Sequence, residues 1–333
     1  MRLAHKRLLA TAMGTALIAT SAACAPKSSN DDAAAYPSKS LSFVVPAAPG
    51  GGWDSTARQL QQTMKSAKLV DQSIEVVNRD GGGGATGLSQ IMTKDKGDPY
   101  TLMIGGLVMI GALEQASSPL KVSQATAIAT MTAETEAIVV KSDSPYKTID
   151  DVLAAYKKDP KSVAFGGGSV GGSDQLVLGL LLKAAGEAPK DMKYIPYAGG
   201  GEAIAGILSG DVEVGVSGLS EFQGQIEGGK MRLLAISSDE KKEIDGKEVP
   251  TLKGEGYDVD FSNWRAVYAP PGISDSERES IIKLMDKVHE SKQWKDVLTK
   301  QGWSDFYKSG DEATAFMKSE EARVKSVMKE LGL

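Results

Sequence analysis

One arrangement recurs along this chain and constrains its fold more than any other feature: a short apolar run, a glycine-rich turn and then a helical pattern. It occurs first in residues 43–59, where an apolar run stops at Pro46 and Pro49, and glycines at positions 50–52 precede Trp53. Glycine lets the backbone approach a ligand closely. The free N–H groups and the positive end of the following helix point the same way, so this turn predicts a site for a carboxylate or phosphate.

The same arrangement continues over most of the chain and predicts α/β units on a mostly parallel sheet. Further glycine-rich turns follow strand-like runs at residues 166–173 and 199–202. Two strand-like runs between residues 126 and 140 have no helix between them, and we interpret them as crossing segments between two lobes. A return crossing is expected near residues 263–269. The C-terminal third has helical apolar spacing, which predicts helices that pack back on the first lobe.

The length of the chain also favours two lobes, because 333 residues exceed what one small core accommodates. The crossing segments divide the chain into a first lobe, residues 38–137 and 263–333, and a second lobe, residues 138–262. The first lobe is therefore expected to be discontinuous in sequence.

The N-terminus has the pattern of a bacterial lipoprotein signal. Basic residues precede an apolar run at residues 8–19, which is about half the length that spans a bilayer. The run ends at Ser-Ala-Ala-Cys, and Cys24 is the one cysteine of the chain. We predict a signal peptide at residues 1–23, lipidation of Cys24, and a flexible tether at residues 24–37. The alternative is an ordinary secretory signal with an incidental cysteine.

Composition excludes several classes of function. The formal net charge is −5, and removal of the signal peptide would make it about −8. An acidic chain without a basic, aromatic-rich patch is not expected to bind nucleic acid. Removal of the signal peptide, which contains His5, would leave a single histidine, His289, and Cys24 would be used for lipid, so no nitrogen- or sulfur-ligated metal site and no cofactor are expected.

Residues 166–171 match two catalytic or nucleotide-binding patterns. The dinucleotide pattern G-x-G-x-x-G also needs an acidic residue after the next strand, but that strand ends in Tyr-Ile-Pro-Tyr. The hydrolase pattern G-x-S-x-G would make Ser169 a nucleophile and would require His289 as its base. His289 lies in an amphipathic helical pattern rather than on a loop. We therefore interpret Ser169 as a hydrogen-bond donor to an anion, and we keep a serine hydrolase as the less favoured alternative.

A set of short motifs, in a fixed order, resembles one family. The motifs are Tyr36-Pro-Ser-Lys, Phe43-Val-Val-Pro, Pro49-Gly-Gly-Gly-Trp-Asp, Val77-Asn-Arg-Asp-Gly-Gly-Gly, Tyr194-Ile-Pro-Tyr, Leu208-Ser-Gly-Asp-Val and Gly229-Lys-Met-Arg-Leu-Leu-Ala. From about residue 36 onward the chain is similar to the substrate-binding proteins of tripartite tricarboxylate transporters, the TctC or Bug family. The resemblance implies an α/β, periplasmic-binding-protein-like fold with two α/β lobes, a ligand cleft between them and crossing hinge strands.

The resemblance also implies which residues bind the ligand, mostly through backbone amides. They are Gly50, Gly51, Gly52, Trp53 and Asp54 in the first lobe, and Gly168, Ser169, Val170, Gly171, Ala198, Gly199 and Gly200 in the second. Two positions depart from the family pattern. Ser217-Gly218 stands where many members have Asp-Asn, and Gly105-Gly106-Leu107 replaces a segment rich in serine and threonine. Both departures remove polar groups that could bind the far end of a ligand.

The resulting prediction is a solute-binding lipoprotein without enzymatic activity. It would be anchored by lipid to a bacterial membrane, on the extracytoplasmic side. It would capture a small carboxylate by lobe closure and deliver it to the membrane permease subunits of a tripartite tricarboxylate transporter. A ligand-sensing receptor of the same fold is the alternative that the sequence leaves open.

Overall fold

The computed structural model describes residues 36–197, 200–238, 242–244 and 246–332. The predicted signal peptide, Cys24 and most of the predicted tether lie outside the described residues, as do Ala198 and Gly199. Within the described ranges, no helix is long enough and apolar enough to cross a membrane.

Strands and helices alternate through most of the described chain, which has twelve strands and ten α-helices in these ranges. The strands are β1 (Leu41–Val45), β2 (Ile74–Asn78), β3 (Thr101–Gly106), β4 (Thr126–Lys141), β5 (Ala164–Gly167), β6 (Lys193–Pro196), β7 (Val214–Gly218), β8 (Met231–Ile236), β9 (Glu243–Ile244), β10 (Lys247–Glu248), β11 (Ser262–Ala269) and β12 (Ser304–Ser309). The helices are α1 (Gly52–Ser66), α2 (Ala85–Thr93), α3 (Leu107–Gln115), α4 (Ile149–Lys158), α5 (Ser173–Ala184), α6 (Gly200–Ser209), α7 (Leu219–Glu227), α8 (Asp275–Glu290), α9 (Lys292–Gln301) and α10 (Gly310–Leu331).

Ten of these strands form one continuous sheet, in the order β2-β1-β3-β11-β4-β7-β5-β6, with β8 and β12 also paired to β4. β1 is parallel to β2 and β3, and β5 is parallel to β6 and β7. Between these parallel halves, β11 runs antiparallel to β3 and β4, and β4 runs antiparallel to β7. The chain therefore has two α/β lobes joined by crossing strands, and the predicted fold class is confirmed.

β4 is the strand that passes from one lobe to the other. Its residues up to Thr135 pair with β11 and β12, and its residues from Glu136 onward pair with β7 and β8. The prediction of two separate runs here is wrong, because the β11 ladder continues alongside the residues between them and keeps them extended. The predicted boundary after residue 137 would fall inside this strand, and the lobe boundaries stay a prediction.

The C-terminal helices pack on the first-lobe side of β4. α8 and α9 contact α1, and α10 contacts α3. Ile281, Met285 and Val288 of α8 and Val324 of α10 are buried, as their helical spacing predicts. The sequence did not predict β12, because its two apolar residues are adjacent and show no alternation of apolar and polar positions.

Candidate functional site

A cleft of about 780 Å³ is lined by residues of both lobes. Its walls come from the turns that follow β1 and β5, the start of α6 and the end of β7. These segments lie at the carboxyl ends of parallel strands, where ligands bind in open α/β sheets. The volume is within the range of small-molecule sites.

The turn from β1 to α1, residues 49–54, is called the first turn below. Gly50 has a φ of +89°, a left-handed conformation that favours glycine. The backbone N–H groups of Gly51, Gly52 and Trp53 precede or begin α1 and have no hydrogen-bond acceptor in the described part of the chain. All three residues line the cleft. Since a helix N-terminus carries partial positive charge, these N–H groups can bind a carboxylate.

Asp54 fixes the shape of the first turn. Its carboxylate accepts hydrogen bonds from Gly50 N–H at 2.9 Å, Arg58 Nε at 2.8 Å and Asn78 Nδ2 at 3.0 Å. Burial acts to raise the pKa of Asp54, but the bonds from Arg58, Gly50 and Asn78 outweigh it and hold that pKa below its usual value. The Asp54 charge is therefore paired within the turn, and the N–H groups at the start of α1 remain available to a ligand.

The turn from β5 to α5, residues 168–174, is called the second turn below. Its first glycine is also bound to an aspartate of the next helix: Gly168 N–H donates to Asp174 Oδ2 at 2.7 Å. The Ser173 hydroxyl donates to Asp174 Oδ1 at 3.0 Å. Asp174 is buried and forms no ion pair with any described residue. Burial raises the pKa of Asp174 by more than these hydrogen bonds lower it.

Two further carboxyl groups, Glu134 and Glu136, lie on one face of β4 because they are two residues apart. Both are buried. Glu134 accepts hydrogen bonds from Arg265 Nη2 and from the Ser220 hydroxyl. Within the described ranges, neither carboxylate oxygen of Glu136 has a hydrogen-bond partner, and the neighbouring Ser173 hydroxyl donates to Asp174 instead. Burial, followed by the charges of Asp174 and Glu134, raises the pKa of Glu136 well above its ordinary value.

Two glycines make room for this charged group. A Cβ atom on Gly52 would lie 2.6 Å from Arg265 Nη2, and a Cβ atom on Gly218 would overlap the Glu134 carboxylate. The absence of a side chain at Gly218 therefore allows Glu134 to reach its position.

Acidic residues outnumber basic ones on the walls of the cleft. Of the charged residues that line it in the described chain, Asp80, Asp174 and Glu221 are acidic and Arg265 is basic. Glu221 is accessible from the cleft and accepts a hydrogen bond from the Ser217 hydroxyl at 3.1 Å. Burial by the surrounding protein, followed by the charges of Glu134 and Asp174, raises the pKa of Glu221.

Half of the twelve residues predicted to bind the ligand line the cleft: Gly50, Gly51, Gly52, Trp53, Gly168 and Ser169. Asp54, Val170 and Gly171 do not line it. Asp54 is buried in the first turn, Val170 is 38% exposed, and Gly171 N–H donates to Gln175. Gly200 begins α6, while Ala198 and Gly199 lie outside the described residues. The ligand-binding role of all twelve stays a prediction.

The sequence interpretation did not identify Asp174, Glu221 or Arg265 as cleft residues. For Asp174 a signal exists, because an acidic residue in the first turn of α5 matches Asp54 in the first turn of α1. Arg265 has no comparable signal, since it lies in the middle of β11 and its partner Glu134 is 131 positions away in sequence.

The residues of the hydrolase alternative are not brought together. His289 Nε2 lies 3.0 Å from both carboxylate oxygens of Asp305, and its ring stacks on Tyr307. Among the described residues no hydrogen bond joins His289 to Ser169, and His289 does not line the cleft. No group of three or more His, Cys, Asp or Glu residues in the same ranges is positioned to hold a metal ion.

Two α/β lobes around one amide-lined cleft define the class of solute-binding proteins with a periplasmic-binding-protein-like fold. Within this class the chain belongs to the TctC family, because residues 56–333 match the model described as the tripartite tricarboxylate transporter family receptor. The resemblance that the sequence motifs indicated is thereby confirmed.

Known proteins extend this relationship over nearly the whole chain. BugT of Bordetella pertussis is 29% identical over 323 residues, which cover 95% of each chain. A TctC solute-binding protein from Polaromonas superposes with a TM-score of 0.71 at 25% identity, over 89% of this chain and 100% of that one. MatC from Rhodopseudomonas palustris, with bound malate, superposes with a TM-score of 0.73 over 88% and 99% of the two chains. At 20% identity, MatC shows likeness of fold alone.

Proposed function

We propose that this protein is an extracytoplasmic receptor that captures a small carboxylate by closure of its two lobes. It then delivers the ligand to the membrane permease subunits of a tripartite tricarboxylate transporter. The observation that carries this proposal is the set of free N–H groups at the start of α1, which face a cleft shared with the second lobe. Membership of the TctC family supports solute binding, and malate is bound in MatC, which has the same fold.

The binding mechanism follows from the first turn. A ligand carboxylate would accept hydrogen bonds from Gly51, Gly52 and Trp53, with the Arg265 guanidinium next to Gly52 adding positive charge. From the opposite lobe, Ser169 of the second turn would supply a further donor. Closure of the lobes would exclude water from the cleft, which strengthens charge-assisted hydrogen bonds and completes the site that a permease recognises.

Gly51 allows the role of the amides to be tested without reshaping the turn. Its φ of −77° suits proline, and a Cβ atom there would meet Ala48 O at an ordinary distance of 3.8 Å. Gly51→Pro removes one free N–H group, whereas the matched control Gly51→Ala keeps it. We expect Gly51→Pro to weaken carboxylate binding about tenfold or more, and Gly51→Ala to change it by less than about threefold.

The measurement is calorimetric titration with a panel of small mono-, di- and tricarboxylates and amino carboxylates. Neutral amides of the same acids serve as ligand controls, and they are expected not to bind. If none of the acids gave saturable heat or raised the melting temperature, carboxylate capture would be refuted.

We further propose that Cys24 carries the lipid anchor, and that residues 24–37 connect it to the folded lobes. The position of Cys24 after a signal-like apolar run supports this proposal. Cys24→Ser is expected to move the protein from the membrane fraction to the soluble fraction in its bacterial host. Retention of the variant in the membrane fraction would contradict a lipid anchor at this residue.

A further inference from the structure

The second-lobe end of the cleft has an excess of acidic groups. Asp174 and Glu221 line the cleft there, and Glu136 lies close enough to both to interact with them electrostatically. Glu136 is fully buried, and both of its carboxylate oxygens lack a partner in the described part of the chain. Buried carboxyl groups normally have hydrogen-bond donors or a cation. The three carboxyl groups together therefore lack a cation, which a ligand in the cleft could supply.

The nearest positive charge does not compensate for these groups. Arg265 is 4% exposed, and its Nη2 atom donates to Glu134. Its Nη1 atom is buried without a partner among the described residues, and its guanidinium lies against Gly52 of the first turn. Arg265 therefore pairs with Glu134 and adds positive charge on the side of the first turn. Asp174, Glu136 and Glu221 form no ion pair in the described ranges, and the charge of Arg265, which acts to lower the pKa of Glu221, is outweighed by burial and by neighbouring carboxyl groups.

Apart from Asp80, which follows β2 in the first lobe, the charged groups of the cleft are thus separated along its length. The first turn provides free N–H groups and lies next to Arg265, which suits an anion. The second turn and α7 provide Asp174 and Glu221, backed by Glu136, which suits a cation with several hydrogen-bond donors. From this arrangement we infer that the ligand is an amino carboxylate, whose carboxylate binds at the first turn and whose ammonium group faces Asp174 and Glu221. This inference rests on the proposed function and names its substrate class.

Other small carboxylates match the cleft less well. A second carboxylate would bring another negative charge towards Asp174 and Glu221 and would be repelled. An alkyl end would leave Asp174 and Glu221 without a cation after closure has removed water from the cleft. An ammonium group has three donors and a positive charge, so it satisfies both requirements.

The test compares ligands that differ at one end. In calorimetric titrations, ω-amino and α-amino carboxylates of two to six carbons are each matched to a dicarboxylate and to an unsubstituted monocarboxylate of the same chain length. We expect at least one amino carboxylate to bind about tenfold or more tightly than both of its matched partners.

Two variants identify the residues responsible. Glu221→Gln is expected to reduce the preference for the amino carboxylate over its dicarboxylate partner about tenfold or more. Glu227→Gln is the matched control, because it removes the same charge from an exposed position of α7 outside the cleft. Asp174→Asn keeps an oxygen that can accept from Gly168 N–H. It should reduce the preference for the amino carboxylate as Glu221→Gln does, and it serves as the second variant if one of the two folds poorly.

Proton release gives a readout that does not depend on affinity. The charged and titratable groups around the proposed ammonium position are Glu134 and Glu136 of β4, Asp174 of α5, Tyr194 of β6, Glu221 of α7 and Arg265 of β11. Because the pKa values of Glu136, Asp174 and Glu221 are raised in the free protein, a bound cation should lower them and release protons. Calorimetry in two buffers of different ionisation enthalpy measures this release.

The outcomes separate the two proposals. The inference would be overturned if dicarboxylates bound as tightly as the matched amino carboxylates and Glu221→Gln did not change the ratio of the two dissociation constants. Carboxylate capture would then remain intact. Proton uptake on binding of an amino carboxylate would also overturn it. Failure of every acid to bind would remove the proposed function as well.

Discussion

The first and second turns have the same backbone construction but opposite electrostatics. In each, a glycine N–H donates to an aspartate in the first turn of the following helix: Gly50 to Asp54 and Gly168 to Asp174. Asp54 also accepts hydrogen bonds from Arg58 and Asn78, and its pKa is lowered. Asp174 has a serine hydroxyl but no cation among the described residues, and its pKa is raised.

This difference shows that a glycine-rich turn before a helix does not by itself define an anion site. In the first turn the internal carboxylate is neutralised by Arg58, so the helix N-terminus keeps its positive potential. In the second turn the internal carboxylate is not neutralised, and it opposes the potential of its own helix. We therefore expect the negative end of a ligand to bind at the first turn rather than beside Asp174.

The largest expected effect comes from removing Arg265, the cation next to Gly52 of the first turn. Arg265→Met would leave Glu134 buried, with the Ser220 hydroxyl as its remaining donor. Loss of one partner of a buried ion pair costs about 3–5 kcal/mol. We expect a decrease of that size in the free energy of unfolding, measured by urea denaturation at neutral pH.

Two further variants test the cause of this loss. Arg265→Met combined with Glu134→Leu should recover most of the lost stability, because no unpaired charge then remains. Arg278→Met is the surface control, since its partner Asp311 is 98% exposed, and it should cost less than about 1 kcal/mol. If Arg265→Met cost no more than Arg278→Met, the buried pair would not have the importance assigned to it.

A smaller effect is expected in the first turn from Asp54→Ala. The substitution removes the acceptor for Gly50 N–H, Asn78 and Arg58, and we expect a loss of about 1–3 kcal/mol. Because the folded-state pKa of Asp54 lies below its ordinary value of 3.8, this stabilisation is complete above that pH and disappears as the pH falls through the lower pKa. Urea unfolding at pH 7 and pH 3 should show the difference between wild type and variant narrowing at pH 3.

Arg58→Ala measures the contribution of the ion pair to stability apart from the hydrogen bonds that Asp54 accepts from Gly50 and Asn78. The Arg58 side chain is 50% exposed, so its loss should lower the free energy of unfolding less than Asp54→Ala does. An equal loss for Arg58→Ala and Asp54→Ala would mean that the hydrogen bonds to Gly50 and Asn78 contribute nothing.

Most of the fold could be predicted from the sequence because each unit is local. An apolar run, a glycine turn and a helical pattern define β1 and α1, and again β5 and α5, within about 20 residues each. β4 was predicted less well, since its length depends on pairing with β11, whose residues are more than 120 positions away. β12 was not predicted because its two aromatic residues are adjacent and do not alternate with polar ones. A register shift between Asp305 and Lys308 accommodates this irregular pattern in the sheet.

The candidate site was predictable in outline but not in charge. Glycine turns identify where amides can meet a ligand, and the first turn and Gly168 do line the cleft. Glu134, Glu136 and Arg265 lie inside strands, where a sequence pattern does not indicate which side chains face a cleft. The sign of the potential depends on contacts between β4, β11 and α5, and those contacts are set by the tertiary fold.

A pH-dependent effect is expected at Glu136, which lies behind the second turn. Glu136→Gln keeps the shape of the side chain but cannot ionise. Since the folded-state pKa of Glu136 lies above its ordinary value of 4.5, the wild type loses stability as the pH rises from that value towards the raised pKa. Glu136→Gln should not lose this stability, so the variant should gain stability relative to the wild type as the pH rises from 4 to 7.5.

Glu320→Gln is the matched control, because Glu320 is a buried carboxylate that does have partners, Arg323 and Trp264. At pH 7.5 this variant should be less stable than the wild type, so the same chemical change has opposite signs at the two sites. A pH-independent difference for Glu136→Gln, or a loss of stability at pH 7.5, would show that Glu136 is paired in solution. The second turn would then resemble the first, and the cleft would no longer have a negative end that requires a ligand cation.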